Sequence, residues 1–282
     1  MAKRVQSPSS INLFKTCPRK YYYVYVKGFE LLPSIHTARG HVAHSVLEHF
    51  FDIDVTGITK ENCHERLQGE IPGLLVKYWQ ENKAEFDGLG LSQQQMQFYF
   101  EETLVMLFNW LNHFVARVRK HPENDFAKVF KTLTPVREKE YVSEYYSVRG
   151  FIDAIEHAED GVIVMDYKTS KTPVITPEYR LQLAIYSLLY QETHGVPPRK
   201  VGVYFLKDQA HFLNVDQDLI DMAKKEIELI HKGTQTEDIT DYPKAPDKSP
   251  CRWCEFHEFC WGTKNGKSQF LGMPGMRKDG RK

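Results

Sequence analysis

Nowhere in the 282 residues is there an uncharged apolar run of about 18, the length that a membrane-spanning helix needs. The first ten residues carry Lys3 and Arg4 but lack the apolar core of a signal peptide. These absences predict a protein with no membrane partner, retained in a reducing cytoplasm. Cysteine is scarce, five in all, too few in a chain of this length for a disulfide-built miniprotein. In that compartment the five suggest metal binding or chemistry before disulfides. No internal repeat is present. What remains is 41% hydrophobic and 26% charged, enough to bury a substantial core in one large domain or two ordinary ones. Such a composition excludes a disordered chain and a coiled coil.

Net charge is also missing, since 37 Lys and Arg offset 37 Asp and Glu, but the balance is uneven along the chain. Residues 1–50 hold seven basic side chains against Glu30 and Glu48, a sum of +5, and residues 261–282 hold six against Asp279, again +5. The middle must therefore carry −10. Basic ends around an acidic middle suit a polyanion held near metal-binding carboxylates.

Helical spacing dominates residues 1–120. A capped start at Ser7-Pro8-Ser9-Ser10 leads into the aromatic-rich segment 11–26, and helices are expected over about 37–51, 60–82 and 92–120. The period then shortens. Residues 141–155 and 162–165 read as strands joined by a turn at Glu159-Asp160-Gly161, followed by a helix over 177–194, strands near 201–206 and 210–215, and a helix over 217–232. This order fits an α/β fold, a mixed sheet covered by helices.

The strand Val162-Ile163-Val164-Met165 ends in Asp166-Tyr167-Lys168, and alternation puts Asp166 and Lys168 on one face. A hairpin through the turn brings Asp153, from Gly150-Phe151-Ile152-Asp153, onto the neighbouring strand. Two carboxylates there could hold Mg²⁺ or Mn²⁺ against a phosphate while the lysine stabilises negative charge, which is machinery for phosphodiester hydrolysis. An Asp-Lys ion pair closing a strand edge is the alternative for the tripeptide alone.

Gly-x-x-Asp at 150–153, Asp166-Tyr167-Lys168-Thr169 and Gln182-x-x-x-Tyr186 together resemble the PD-(D/E)xK nucleases of the RecB and AddB type. The resemblance implies a restriction-endonuclease-like core, metal binding by Asp153, Asp166 and the carbonyl of Tyr167, Lys168 as the catalytic lysine, and Gln182 and Tyr186 turned toward the site. Gly40-x-x-x-His44-x-x-x-Glu48 is similar to that branch's histidine-bearing helix, which implies His44 as a further metal ligand. The chain is thus expected to hold one nuclease domain over 1–262, with a helical insertion over about 55–130, followed by a basic, flexible tail over 263–282.

Cys251-Arg252-Trp253-Cys254 and Cys260 supply three thiols, and Cys17 is the natural fourth. Four thiolates serve zinc or iron-sulfur alike. The setting of Cys17, with Ser9, Phe14, Pro18 and Tyr21-Tyr22, resembles iron-sulfur RecB-like nucleases, including the CRISPR-associated exonucleases and exonuclease V. That likeness implies a [4Fe-4S] cluster, with zinc as the alternative, stapling the two ends of the chain. Cys63 reads as an ordinary thiol.

The activity so implied is a Mg²⁺- or Mn²⁺-dependent DNA exonuclease, with a preference for single strands or free ends, acting in repair, recombination or end processing. A CRISPR adaptation nuclease trimming spacer precursors, and a non-catalytic metal-stapled DNA-binding protein, are the alternatives. A helicase or integrase is the expected type of protein partner. Arg19, Lys20 and the tyrosines at 21–25 offer phosphate contacts and stacking surfaces, although most of these tyrosines suit the core.

Overall fold

The computed structural model describes residues 4–158, 160–247 and 249–262. Glu159 of the anticipated turn and the tail at 263–282 lie outside the described residues. The chain divides into two compact units. One comprises residues 33–141 and 151–216, the other 1–32, 142–150 and 217–282.

The larger unit begins with α3 (Ile35–His49), preceded in the chain by α1 (Pro8–Thr16) and α2 (Pro18–Tyr21) of the other unit. The Ser34 side chain accepts a hydrogen bond from the Thr37 amide and starts α3. Four helices follow: α4 (Cys63–Glu81), α5 (Lys83–Asp87), α6 (Gln93–Lys120) and α7 (Phe126–Leu133). At the start of α6, Ser92 and Gln95 form a reciprocal capping box. Val42, Val46 and Phe50 meet Leu67, Ile71, Leu107, Trp110 and Phe114 in one buried cluster. Phe50 and Phe51 stand edge-on to Trp110 and Phe114, with centroids 5.0 to 5.9 Å apart.

The strands are β1 (Val136–Ser143), β2 (Val148–Ala158), β3 (Gly161–Lys168), β4 (Lys200–Phe205) and β5 (Ala210–Asn214), in sheet order β1-β2-β3-β4-β5. Pairing of β2 with β3 is antiparallel, of β3 with β4 parallel, and of β4 with β5 antiparallel. The sheet is therefore mixed. A parallel neighbour requires a crossover, which α8 (Pro177–His194) provides. Thr176 caps its start, and Gly195, at φ 76°, ends it in the left-handed conformation.

In the smaller unit, α1, α2 and a π-helical turn over Tyr22–Val26 precede α9 (Gln217–Gly233) and α10 (His257–Trp261). The aromatic segment breaks at Cys17, whose extended backbone (φ −158°) is what a following proline favours. Tyr21, Tyr22 and Tyr23 are buried, with Tyr21 stacked on Tyr242 at 6.2 Å. Arg19 Nε donates to the Tyr242 carbonyl at 2.7 Å, and Lys20 pairs with Glu255 at 2.8 Å. Both cations are thus engaged inside the unit.

The expected iron-sulfur staple is corrected by this unit. Cys17, Cys251, Cys254 and Cys260 line one small cavity, but all are free thiols, and no three of them bring ligand atoms within 4.8 Å of one another. Burial raises the Cys260 thiol and pushes Cys254 up to about 11. Cys17 has a local task instead, its sulfur accepting the Lys20 amide at 3.4 Å as the cap of α2. Cys63, buried elsewhere, lies with its thiol 3.2 Å from the Lys60 carbonyl. No described helix is long and apolar enough to cross a membrane.

Candidate active site

Asp153 and Asp166 each lie one residue beyond the Ala154–Met165 pair, on the neighbouring strands β2 and β3. Both are buried, Asp153 with 8% and Asp166 with 2% of its surface exposed. Burying a carboxylate costs several kcal/mol unless partners replace water, and each has them. Asp153 Oδ2 accepts the Tyr167 amide at 2.6 Å and lies 3.5 Å from His44 Nδ1. Asp166 Oδ2 lies 2.6 Å from Lys168 Nζ, two residues along the same face of β3, while its Oδ1 accepts from Gln182 Nε2 at 2.8 Å.

Gln182 and Tyr186 share one face of α8, and Gln182 Nε2 also lies 2.8 Å from the Tyr186 hydroxyl. His44 reaches over from α3. Its Nε2 donates to the Tyr167 carbonyl at 3.0 Å, and its Nδ1 faces Glu138 Oε1 of β1 at 3.8 Å. Glu138 has φ +43°, a left-handed conformation unusual for a strand residue. A cleft runs along this edge, lined by His36, Gly40, His44, Glu138, Lys168 and Thr169 among others.

The electrostatics follow from these contacts. Burial raises both carboxyls, but for Asp153 the facing His44, with Lys168 and the Tyr167 amide, reverses the sign and lowers it. For Asp166 burial prevails over Lys168, and the proximity of Asp153 adds to it, so its carboxyl is pushed up to about 6. Burial opposes the charged forms of His44 and Lys168, yet the two aspartates outweigh it and raise both. Burial and the same carboxylates hold the Tyr186 phenol neutral, well above its usual range.

A divalent ion fits the donor set. His44, Glu138 and Asp153 offer ligand atoms that all lie within 4.8 Å of one another. Carboxylate oxygens with one imidazole nitrogen suit Mn²⁺ or Mg²⁺. Asp166 Oδ2 touches Lys168 but has no aligned hydrogen bond, which leaves it acceptor capacity toward a cation.

The family profile of the PD-(D/E)XK nuclease superfamily matches residues 6–261. The chain belongs to the PD-(D/E)XK nuclease superfamily. Among curated proteins, the CRISPR-associated exonuclease Cas4 of Francisella tularensis subsp. novicida (strain U112) is 32% identical over 122 residues, 42% of this chain and 58% of that protein. The Gene 69 protein of Mycobacterium phage L5 is 29% identical over 117 residues, 40% of this chain and 39% of that protein. The matched stretch thus spans 39% to 58% of these relatives' own lengths. A crystal structure from Eubacterium rectale, of a protein provisionally named an exonuclease, aligns with a TM-score of 0.51 at 13% identity. It covers 94% of this chain and 91% of that one, a likeness of fold.

The structure of this PD-(D/E)XK nuclease brings together His44, Asp153, Asp166, Lys168, Gln182, Tyr186 and the Tyr167 carbonyl. The four cysteines belong to the other unit. Neither a [4Fe-4S] cluster nor the zinc alternative is supported, because the group of His, Cys, Asp and Glu assembled among the described residues is His44, Glu138 and Asp153. Glu138 is the residue that sequence reasoning missed. Arg137-Glu138-Lys139-Glu140 reads as a plain run of charges ahead of the strand expected from 141, and nothing in it distinguishes Glu138 from Glu140.

Proposed function

We propose that this protein is a Mg²⁺- or Mn²⁺-dependent DNA exonuclease that hydrolyses single strands or frayed ends during repair, recombination or end processing. The observation that carries the reading is the convergence of Asp153, Asp166 and Lys168 beside His44 at one sheet edge. The family match over 6–261 supports one nuclease domain across about 1–262. Asp153, Asp166, His44 and Glu138 would hold the ion, with the Tyr167 carbonyl as a further oxygen ligand. A divalent ion so held supplies Lewis-acid polarisation of a phosphoryl oxygen. Lys168 places an ammonium where negative charge grows as water adds to phosphorus and the P–O ester bond breaks. The departing oxygen takes up a proton and leaves as a hydroxyl. Gln182 fixes Asp166, and Tyr186 meets the Gln182 amide, which makes both positioning residues.

The test is digestion of an end-labelled single strand. Wild type should degrade it with Mn²⁺ or Mg²⁺ and spare it with EDTA, and Asp166→Ala should bind the strand yet cut it at least a hundredfold more slowly. Equal cutting by the two proteins defeats the assignment. Matched linear and circular substrates separate the modes, because an exonuclease leaves the circle intact.

The 32% identity to Cas4 favours a second reading, a CRISPR-associated nuclease that trims spacer precursors. Stable co-purification with an integrase would select it over a general repair role.

A further inference from the structure

Beside the acidic centre, within the same unit, positive charge gathers around one carboxylate. Arg39 of α3, only 3% exposed, is paired with Glu102 of α6. Lys207, just past β4, holds the other oxygen of Glu102 at 2.5 Å. Its place is fixed by the backbone on either side. The Leu206 amide donates to the Lys168 carbonyl at 2.9 Å, and the Asn109 side chain donates to the carbonyls of Leu206 and Asp208 at 3.1 and 2.7 Å. Lys171 follows Lys168 by three residues and is exposed.

His36, one turn before Arg39 on α3, lines the cleft that also contains His44, Glu138 and Lys168. Its ring meets Tyr99 edge-on at 6.1 Å, the same ring that the Arg39 guanidinium covers at 5.5 Å. Arg39 and Lys207 share the one carboxylate of Glu102, and Lys171 adds its field to both His36 and Lys207. The crowding is felt by its members. Burial, then Arg39, Lys207 and Lys171, lowers the His36 imidazole, and burial, then Arg39 and Lys171, lowers Lys207 despite its contact with Glu102.

Two donors in this region also lack acceptors. Arg39 Nε and Ser170 Oγ are buried without a hydrogen-bond partner. Glu102 supplies the anion for the Arg39 guanidinium, and only its Nε is left open. Gly40, next to Arg39 on the cleft wall, leaves open space, since a Cβ there would meet nothing within 4 Å.

We propose that Lys171 and Lys207, backed by the buried Arg39–Glu102 pair and with His36 at the cleft, form a phosphate subsite that seats a backbone phosphodiester of the DNA strand next to the one being cut. The subsite rests on the nuclease reading and names how that enzyme holds its substrate. Ammonium donors held near a buried guanidinium–carboxylate pair are the chemistry of phosphate recognition. The shared Glu102 keeps the cations apart and aimed.

The test is binding of a fluorescein-labelled oligo(dT) in EDTA across a NaCl series, followed by cleavage of the same strand with Mn²⁺. Lys171→Gln combined with Lys207→Gln should weaken binding about tenfold at moderate salt and reduce the slope of log affinity against log salt by about 0.7, the value for one lost phosphate contact on a single strand. In cleavage, KM should rise more than kcat falls. Lys207→Arg should restore most of the affinity lost in Lys207→Gln, and a matched melting temperature shows that the fold is kept; Lys171→Gln alone offers an exposed site if the double variant unfolds. Affinity and slope equal to wild type overturn the subsite. A wild type that binds in this lysine-dependent way but never cuts leaves the subsite standing and overturns the nuclease reading, and one that neither binds nor cuts overturns both.

Discussion

Asp153 and Asp166 lie on neighbouring strands in nearly equal burial, yet their carboxyls move in opposite directions. The neighbours decide it: His44 draws Asp153 below its ordinary value, while the contact of Lys168 with Asp166 does not overcome burial. In the metal-free protein Asp166 therefore holds its proton until about pH 6, and a divalent cation would release it. Glu138 closes the other side of the same set, and its φ of +43° is a strained means of aiming a side chain. Replacing it with Gln should weaken Mn²⁺ binding about tenfold by calorimetric titration, the usual scale for loss of one oxygen from a metal site's surroundings. Glu138→Gly should share that loss while gaining about 1 kcal/mol of stability from a relaxed backbone. Unchanged Mn²⁺ affinity in both variants would remove Glu138 from the ligand set. Aspartates and a lysine at a strand end are legible in sequence because charge there contradicts the apolar run before it. Glu138 is not, because its role depends on a backbone conformation and on a strand pairing that no local pattern of charges encodes.

At the scale of elements, period and caps made α3, α4, α6, α8 and α9 readable to within a few residues of their observed ends. Two short helices, α5 and α7, carry too few turns for a period to show. The strand expected over 141–155 is instead the end of β1 and most of β2, separated by a turn at 144–147 that has the left-handed Ser147. The cysteine cluster failed for a related reason. Spacing along the chain gives the order of thiols but not the distances between sulfurs. Within α4, Gly69 is exposed at mid-helix, and a Cβ there would meet nothing within 4 Å. Gly69→Ala should therefore raise stability by about 0.5–1 kcal/mol, read as a shift of roughly 2 °C in a circular-dichroism melt. A lower melting point would mean that α4 approaches something at Gly69 which its packing in this unit does not show.

At the scale of the whole chain, the net charge of zero conceals basic ends and an acidic middle, and the acidic middle contains the carboxylates of the site. All of the proposed ligands, His44, Glu138, Asp153 and Asp166, belong to the unit made of 33–141 and 151–216, as do the cations around Glu102. Metal affinity is therefore linked first to the stability of that unit, since an ion that binds only the folded site adds RT ln(1 + [L]/Kd) to it. At a hundredfold excess over Kd this is about 2.7 kcal/mol, which slows exchange by up to about a hundredfold at amides that open with the site. Hydrogen exchange with Mn²⁺ and with EDTA should then differ most in β2, β3 and α3, where Asp153, Asp166 and His44 reside. The Tyr167 amide, bound to Asp153 at 2.6 Å, should be among the most protected. If Mn²⁺ protects 251–260 and leaves 151–168 unaffected, the metal chemistry of this protein belongs to its cysteines, and the carboxylates of the sheet edge serve only to close a strand.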